Sequence, residues 1–301
     1  MGPTASGKTG LALALGEQLD CEIISVDSAL IYRQMDIGTA KPCHQERAQI
    51  PHWLIDIIDP TETYSVAEFY HQALDCINDI ISRNRVPVLV GGTMMYFNAL
   101  INGISVIPET DPTIRELVHQ QGNEIGWDKM HLALAKVDPE AAARVHPNDP
   151  QRIGRALEVF RMTGKPLSLW QRQKLPGLQD KMNYPIRQFT VAPTDRKVLH
   201  QRIEIRFRQM LTNGFVEEVK KLKERADLTA DMPSMRCVGY KQIWQYLDAE
   251  LSYDEMIDKG VAATRQLAKR QFTWLRGWQD LIWLDTFDAN NASKIIDLAT
   301  I

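Results

Sequence analysis

Eight residues at the start of the chain carry the clearest chemistry. Gly2-Pro3-Thr4-Ala5-Ser6-Gly7-Lys8-Thr9 satisfies the pattern G-x-x-x-x-G-K-[ST] in full. The glycines let backbone N–H groups turn inward around phosphate oxygens. A helix starting near Lys8 aims its positive end at the anion, Lys8 adds a full charge, and Thr9 offers a hydroxyl to Mg²⁺. The pattern therefore predicts a grip on a diphosphate-bearing small molecule. Asp27 is the second candidate. It ends a strand-like run, Glu22 to Val26, and ligands of open parallel sheets bind at that end of the strands. Asp27 either faces the phosphate loop, caps a helix, or supports Mg²⁺ through water. Gly91-Gly92-Thr93 ends another apolar run, Pro87 to Val90. Its glycines permit close approach of a ligand and Thr93 supplies a hydroxyl, although a plain turn would use the same residues.

These groups need elements to hold them. A helix is expected over residues 8–19. A second runs over 65–83, where Val66, Phe69, Tyr70, Ala73, Leu74, Ile77, Ile80 and Ile81 recur at helical spacing. Strands alternating with helices predict a parallel sheet covered on both faces. The texture changes near Pro108, and no strand-like run returns until residues 184–191, so 108–174 reads as a helical insertion. The core is then discontinuous, 1–107 with 175–301. The helix after Thr194 sets Leu199, Ile203, Phe207 and Met210 on one face, with Arg202, Arg206 and Arg208 off that stripe. Residues 281–284 form a final strand. One element is missing from the expected set: a phosphate loop of this kind follows a buried strand, yet Gly2 is preceded only by Met1. The sequence is thus expected to start at an internal methionine, with Met1 the last residue of that strand and the sheet destabilised by its loss.

A formal net charge of −3 argues against a chain-wide coat for nucleic acid and leaves room for a local basic groove. Cys21, Cys43, Cys76 and Cys237 form no CxxC pair and read as buried, reduced thiols. No signal peptide and no bilayer-length apolar run is present, which places the expected protein in the cytoplasm, with no membrane partner.

Longer blocks carry a family resemblance. Residues 2–9, then Ser25-Val26-Asp27-Ser28-Ala29-Leu30-Ile31-Tyr32, then Met35-Asp36-Ile37-Gly38-Thr39-Ala40-Lys41-Pro42 resemble the bacterial tRNA dimethylallyltransferases. So do Val90-Gly91-Gly92-Thr93, His146-Pro147-Asn148-Asp149-Pro150-Gln151-Arg152 and Arg236-Cys237-Val238-Gly239-Tyr240. The resemblance implies a P-loop NTPase or kinase-like α/β core with a helical insertion that contacts tRNA. It implies a monomeric prenyltransferase, aided by Mg²⁺, that moves a dimethylallyl group from dimethylallyl diphosphate to N6 of the adenosine 3′ of the anticodon, position 37.

By that resemblance Asp27 is the general base, Thr4 and Lys8 join it in catalysis, and residues 2–9 hold the diphosphate, with Thr9 on the metal. Asp27, Ser28, Ala29, Leu30 and Thr93 would line the adenosine side. The anticodon stem-loop would meet Arg115 and the helix start after Asn148-Asp149, namely Gln151, Arg152, Ile153, Gly154 and Arg155. Arg152 and Arg155 share a face, which an ordinary solvated helix would also show. A third contact is expected at Arg236, Cys237, Val238, Gly239, Tyr240 and Lys241, where Tyr240 stacks on a base. The fourth is residues 265–278, with Arg265 and Lys269 on phosphates and Trp274 in the core. A small-metabolite kinase would explain the loop and the sheet without the basic, aromatic last third. A nucleotide-switched RNA-binding protein would leave Asp27 without a task. A prenyltransferase of free adenylate would not need the insertion.

Overall fold

A computed structural model describes residues 1–109, 111–182 and 184–299. The chain divides into two compact units, Met1–Leu100 with Tyr184–Ile301, and Ile101–Asn183.

The first unit opens with α1 (Lys8–Gly16), β1 (Cys21–Val26), α2 (His44–Gln49) and β2 (His52–Trp53), followed by α3 (Val66–Ser82), β3 (Val86–Gly91) and α4 (Met94–Asn102). Helix α1 is shorter than the expected 8–19, because the chain tightens after Gly16, with Gln18 N–H bonding Leu15 O at 3.0 Å. The start of α3 is set by a reciprocal cap, in which Ser65 accepts from Glu68 N–H and Glu68 accepts from Ser65 N–H. Its apolar stripe from Phe69 to Ile80 is buried. Strands β2, β1 and β3 form a parallel sheet in that order, with Ile23 opposite Val88. All six residues of β1 are buried, which marks it as the central strand. One of them is Glu22, whose carboxylate accepts from Trp53 Nε1 at 2.7 Å, Arg85 at 2.9 Å and Arg83 at 3.1 Å. Burial alone would raise its pKa, but these donors outweigh burial and hold it below the usual range.

The second unit is helical: α5 (Pro112–Ile125), α6 (Trp127–Val137), α7 (Pro139–Arg144), α8 (Pro150–Thr163), α9 (Leu167–Gln171) and α10 (Leu178–Lys181). Prolines begin α5, α7 and α8, each after an aspartate that caps the helix. Val118, Met130, Leu134, Ile153 and Leu157 belong to its core. The unit is wider than 108–174 because its entry and exit segments pair with each other. Leu175 N–H donates to Ile104 O at 2.8 Å and Val106 N–H to Gln173 O at 3.1 Å.

The chain then completes the first unit through β4 (Phe189–Ala192), α11 (Arg196–Thr212), α12 (Phe215–Lys223), α13 (Tyr240–Leu247), α14 (Tyr253–Arg276), β5 (Ile282–Asp285) and α15 (Asn291–Ala299). Strands β4 and β5 pair in parallel. Among the described residues no strand joins this pair to the three-stranded sheet. Met1 lies against β4, its ammonium donating to Phe189 O at 2.7 Å and its carbonyl accepting from Val191 N–H at 3.1 Å. One core cluster packs Leu199, Ile203 and Phe207 of α11 against Phe215, Tyr240, Ile243 and residues of α14.

Candidate active site

The loop before α1 is shaped by side chains that take up its carbonyls. Lys8 Nζ donates to Pro3 O at 2.7 Å, Arg202 Nε to Ala5 O at 2.8 Å and Thr286 Oγ1 to Ser6 O at 2.9 Å. Gly7 caps the helix with φ +91°, a conformation that suits glycine. A Cβ on Gly2 would lie 2.5 Å from Val191 O, so β4 and the loop can approach only at a glycine. The first-turn N–H groups of α1 have no helical acceptors, and together with the helix dipole they form an anion seat.

Above the loop is a cavity of about 510 Å³, lined by Thr4, Ala5, Lys8 and Thr9, by Asp27 through Leu30, by Gly91 through Met95 and by residues of α11 and α14. Asp27 leaves β1 at its carboxyl end, and its Oδ1 accepts from Ala29 N–H at 2.9 Å. Burial lowers the Lys8 pKa to about 8, with Asp27 opposing the shift and Arg206 adding to it. Arg206 is likewise lowered by burial and stabilised by Asp27. One carboxylate thus faces two cations whose charge is poorly solvated, and such cations gain most from a bound polyanion. Arg202, Arg206 and Thr286 had no assigned role in the sequence. The signal for the arginines was their place off the apolar stripe of α11. Thr286 had none.

Thr93 lies at the cavity edge, where its hydroxyl accepts from Ser28 N–H at 3.0 Å and donates to Ser28 Oγ at 3.3 Å. The turn it ends is therefore tied to the residue after Asp27. Of the 236–241 segment, Arg236, Cys237, Val238 and Tyr240 border the cavity. Tyr240 cannot stack on a base: its ring is fully buried against Phe215, and its hydroxyl donates to Glu218 at 2.6 Å. A Cβ on Gly239 would meet Phe215 at 2.8 Å, so that glycine serves packing. Lys241 is exposed. Cys237 is not a fully buried thiol. It borders the cavity, with its pKa pushed up to about 12 by burial and by the charge of Asp27, and Cys43 is exposed.

On α14, Arg265 is held by Glu204 at 3.1 Å, while Lys269 is exposed. Trp274 was expected in the core. It is 46% exposed at the cavity rim, because Phe272 and Leu275 occupy the inward face of α14 there. In the second unit, Gln151 and Arg152 are exposed on the first turn of α8. Arg115 and Arg155 both pair with the buried Glu158, at 3.4 and 3.5 Å. Ile153 and Gly154 are buried. The Ile153 side chain belongs to the core and offers no surface to RNA.

Among the described residues no three His, Cys, Asp or Glu side chains cluster as a metal site. The residues still fit Mg²⁺ in one form. Thr9 and the unpartnered, buried hydroxyl of Ser25 both line the cavity, a donor set suited to an ion held mainly by substrate phosphates and water. No described helix is long and apolar enough to cross a membrane.

Several known proteins resemble this chain. The model of the family described as IPP transferase matches residues 30–278. A tRNA isopentenylpyrophosphate transferase from Bacillus halodurans is 38% identical over 99% of this chain and 92% of its own, with a TM-score of 0.70. The tRNA delta(2)-isopentenylpyrophosphate transferase of Staphylococcus epidermidis is 33% identical over 100% of this chain and 95% of its own, with a TM-score of 0.69. A eukaryotic dimethylallyltransferase acting on tRNA reaches a TM-score of 0.82 at 27% identity, covering 99% of this chain and 77% of its own. This α/β chain, with its parallel sheet, its many helices and a family match over most of its length, belongs to the IPP transferase family.

Proposed function

We propose that this protein transfers the dimethylallyl group of dimethylallyl diphosphate to N6 of adenosine 37, 3′ of the anticodon, in tRNA, releasing diphosphate. The observation that carries the reading is the placement of Asp27 in one cavity with Lys8, Arg206 and the glycine-rich loop. The loop and α1 read as a P-loop core used for a leaving group instead of a transferring phosphoryl group.

The chemistry follows from the charges. As the allylic C–O bond breaks, its electron pair stays on the diphosphate. The loop N–H groups, Lys8 and the arginines of α11 stabilise the growing negative charge. The allylic carbon carries positive charge well, so the displacement is dissociative in character. Thr4, at the cavity wall, flanks the diphosphate. The N6 lone pair is delocalised into the adenine ring, which makes it a weak nucleophile. Asp27 accepts the N6 proton as the new C–N bond forms, and such assistance contributes about 100- to 10,000-fold. Mg²⁺, when bound by Thr9 and the phosphates, would neutralise further charge on the leaving diphosphate.

The adenosine must leave its stack to reach this cavity, at a cost of about a few kcal/mol. The exposed Trp274 and Arg270 at the cavity rim, with Ser28, Ala29 and Leu30 beside Asp27, are suited to receive it. Arg236, Lys241, Lys269, Gln151 and Arg152 are exposed and suited to RNA phosphates. A tRNA substrate also supports a cytoplasmic location, and we take the working form to be a monomer. The test is incubation with radiolabelled dimethylallyl diphosphate, Mg²⁺ and two tRNAs, one with A37 and one with that base replaced. Label in the first alone supports the reading, and label in neither from folded protein refutes it.

A further inference from the structure

The donor loop and the acceptor side of the cavity belong to chain segments far apart in sequence, and one buried side chain joins them. Gln271, on α14, is 7% exposed. Its Oε1 accepts from Thr4 N–H at 2.8 Å, and its Nε2 donates to Gly92 O at 2.8 Å. Thr4 belongs to the loop that seats the diphosphate. Gly92 precedes Thr93, whose hydroxyl holds Ser28, the neighbour of Asp27. A primary amide carries a donor and an acceptor side by side, so it can satisfy an N–H on one segment and a C=O on another at once. Gly92 is matched to it, because a Cβ there would lie 2.4 Å from Gln271 Nε2.

We propose that Gln271 is a positioning residue that fixes the distance between the bound diphosphate and the Asp27 side of the cavity. The inference rests on the transferase reading. Transfer requires the allylic carbon and N6 within about 3–3.5 Å and in line, and a misplacement of about 1 Å can cost on the order of 100-fold. A residue that only filled space would affect folding, donor binding and turnover together. A residue that sets the distance between two correctly formed halves lowers turnover and leaves donor binding intact.

Gln271→Met preserves length and removes both polar ends. With wild type as the standard, kcat for labelled tRNA is expected to fall about 10- to 100-fold. The dissociation constant for inorganic diphosphate with Mg²⁺, measured by calorimetry on the same sample, should stay within about threefold. A kcat within about twofold of wild type overturns the proposal, as does a loss of diphosphate binding that matches the loss of turnover. If Gln271→Met does not fold, Gly92→Ala presses on the same amide from the other side and must show the same split. Wild-type protein that transfers no label would instead refute the transferase reading itself, and the proposal with it.

Discussion

Replacing Glu218 with alanine should cost more stability than its half-buried position on α12 suggests. Its Oε2 accepts from the N–H groups of Asp36 and Ile37 at 2.9 and 2.7 Å, and its Oε1 from Gly38 N–H at 3.1 Å and from the Tyr240 hydroxyl at 2.6 Å. Three consecutive backbone donors converge on one carboxylate, an arrangement that anchors the turn bearing Gly38, Thr39 and Ala40 at the cavity wall. In Glu218→Ala the Tyr240 hydroxyl is left buried without an acceptor, at about 1–3 kcal/mol. The Ile37 and Gly38 N–H groups are partly buried and add about 1 kcal/mol each, whereas Asp36 N–H turns to water at little cost. The sum is about 3–5 kcal/mol, a large part of a typical stability of about 5–15 kcal/mol. Tyr240→Phe removes one of the four bonds and should cost about 1 kcal/mol. Urea denaturation followed by circular dichroism measures both, and the double variant should be less destabilised than the sum, since the two residues share a bond. A loss below about 1 kcal/mol for Glu218→Ala would refute the reasoning, because it would mean that water replaces all four donors' partner freely.

Three further outcomes follow from the site and its sheet. Asp27→Asn keeps an acceptor for Ala29 N–H but cannot take a proton, so single-turnover transfer should slow about 100- to 10,000-fold with little change in melting temperature. Lys8 has a folded pKa near 8, below its ordinary value, so the free protein loses this charge as pH rises through about 8. Diphosphate affinity should therefore weaken between pH 7 and 9, and Lys8→Arg should flatten that dependence in calorimetry, since arginine does not titrate there. Glu22→Ala leaves Arg83, Arg85 and Trp53 without their shared acceptor and should cost about 2–4 kcal/mol in urea melts at neutral pH. The Glu22 pKa is depressed in the fold, so its contribution is full above the ordinary carboxylate pKa and is lost as pH falls through the folded value. Wild type and variant should thus converge in strong acid.

Much of this protein was written locally. The loop from Gly2 to Thr9 depends on backbone freedom and charge within a few residues, and its motif is legible without the rest of the chain. The same holds for Asp27 at a strand end, for the α3 stripe from Phe69 to Ile80, and for the Asp149-Pro150 start of α8, because caps and periodicity are short-range physics. The residues that complete the cavity were not legible in this way. Arg206 and Arg202 show only as charges off an apolar stripe, and nothing near them in sequence says that α11 packs over the loop. Tyr240 and Trp274 depart from what the sequence suggests in opposite senses, one buried where its type and place suggest stacking and one exposed where they suggest core. An aromatic ring's surroundings depend on which helix face meets Phe215 or the cavity, and single-segment patterns do not record that. Gln271 and Glu218 are the clearest case. Each is an ordinary polar residue on a helix until the tertiary fold brings distant backbone N–H and C=O groups to it. Chain position and residue type therefore determined what could bind a diphosphate, whereas only the packing of α11, α12 and α14 decided which side chains hold the two halves of the site in place.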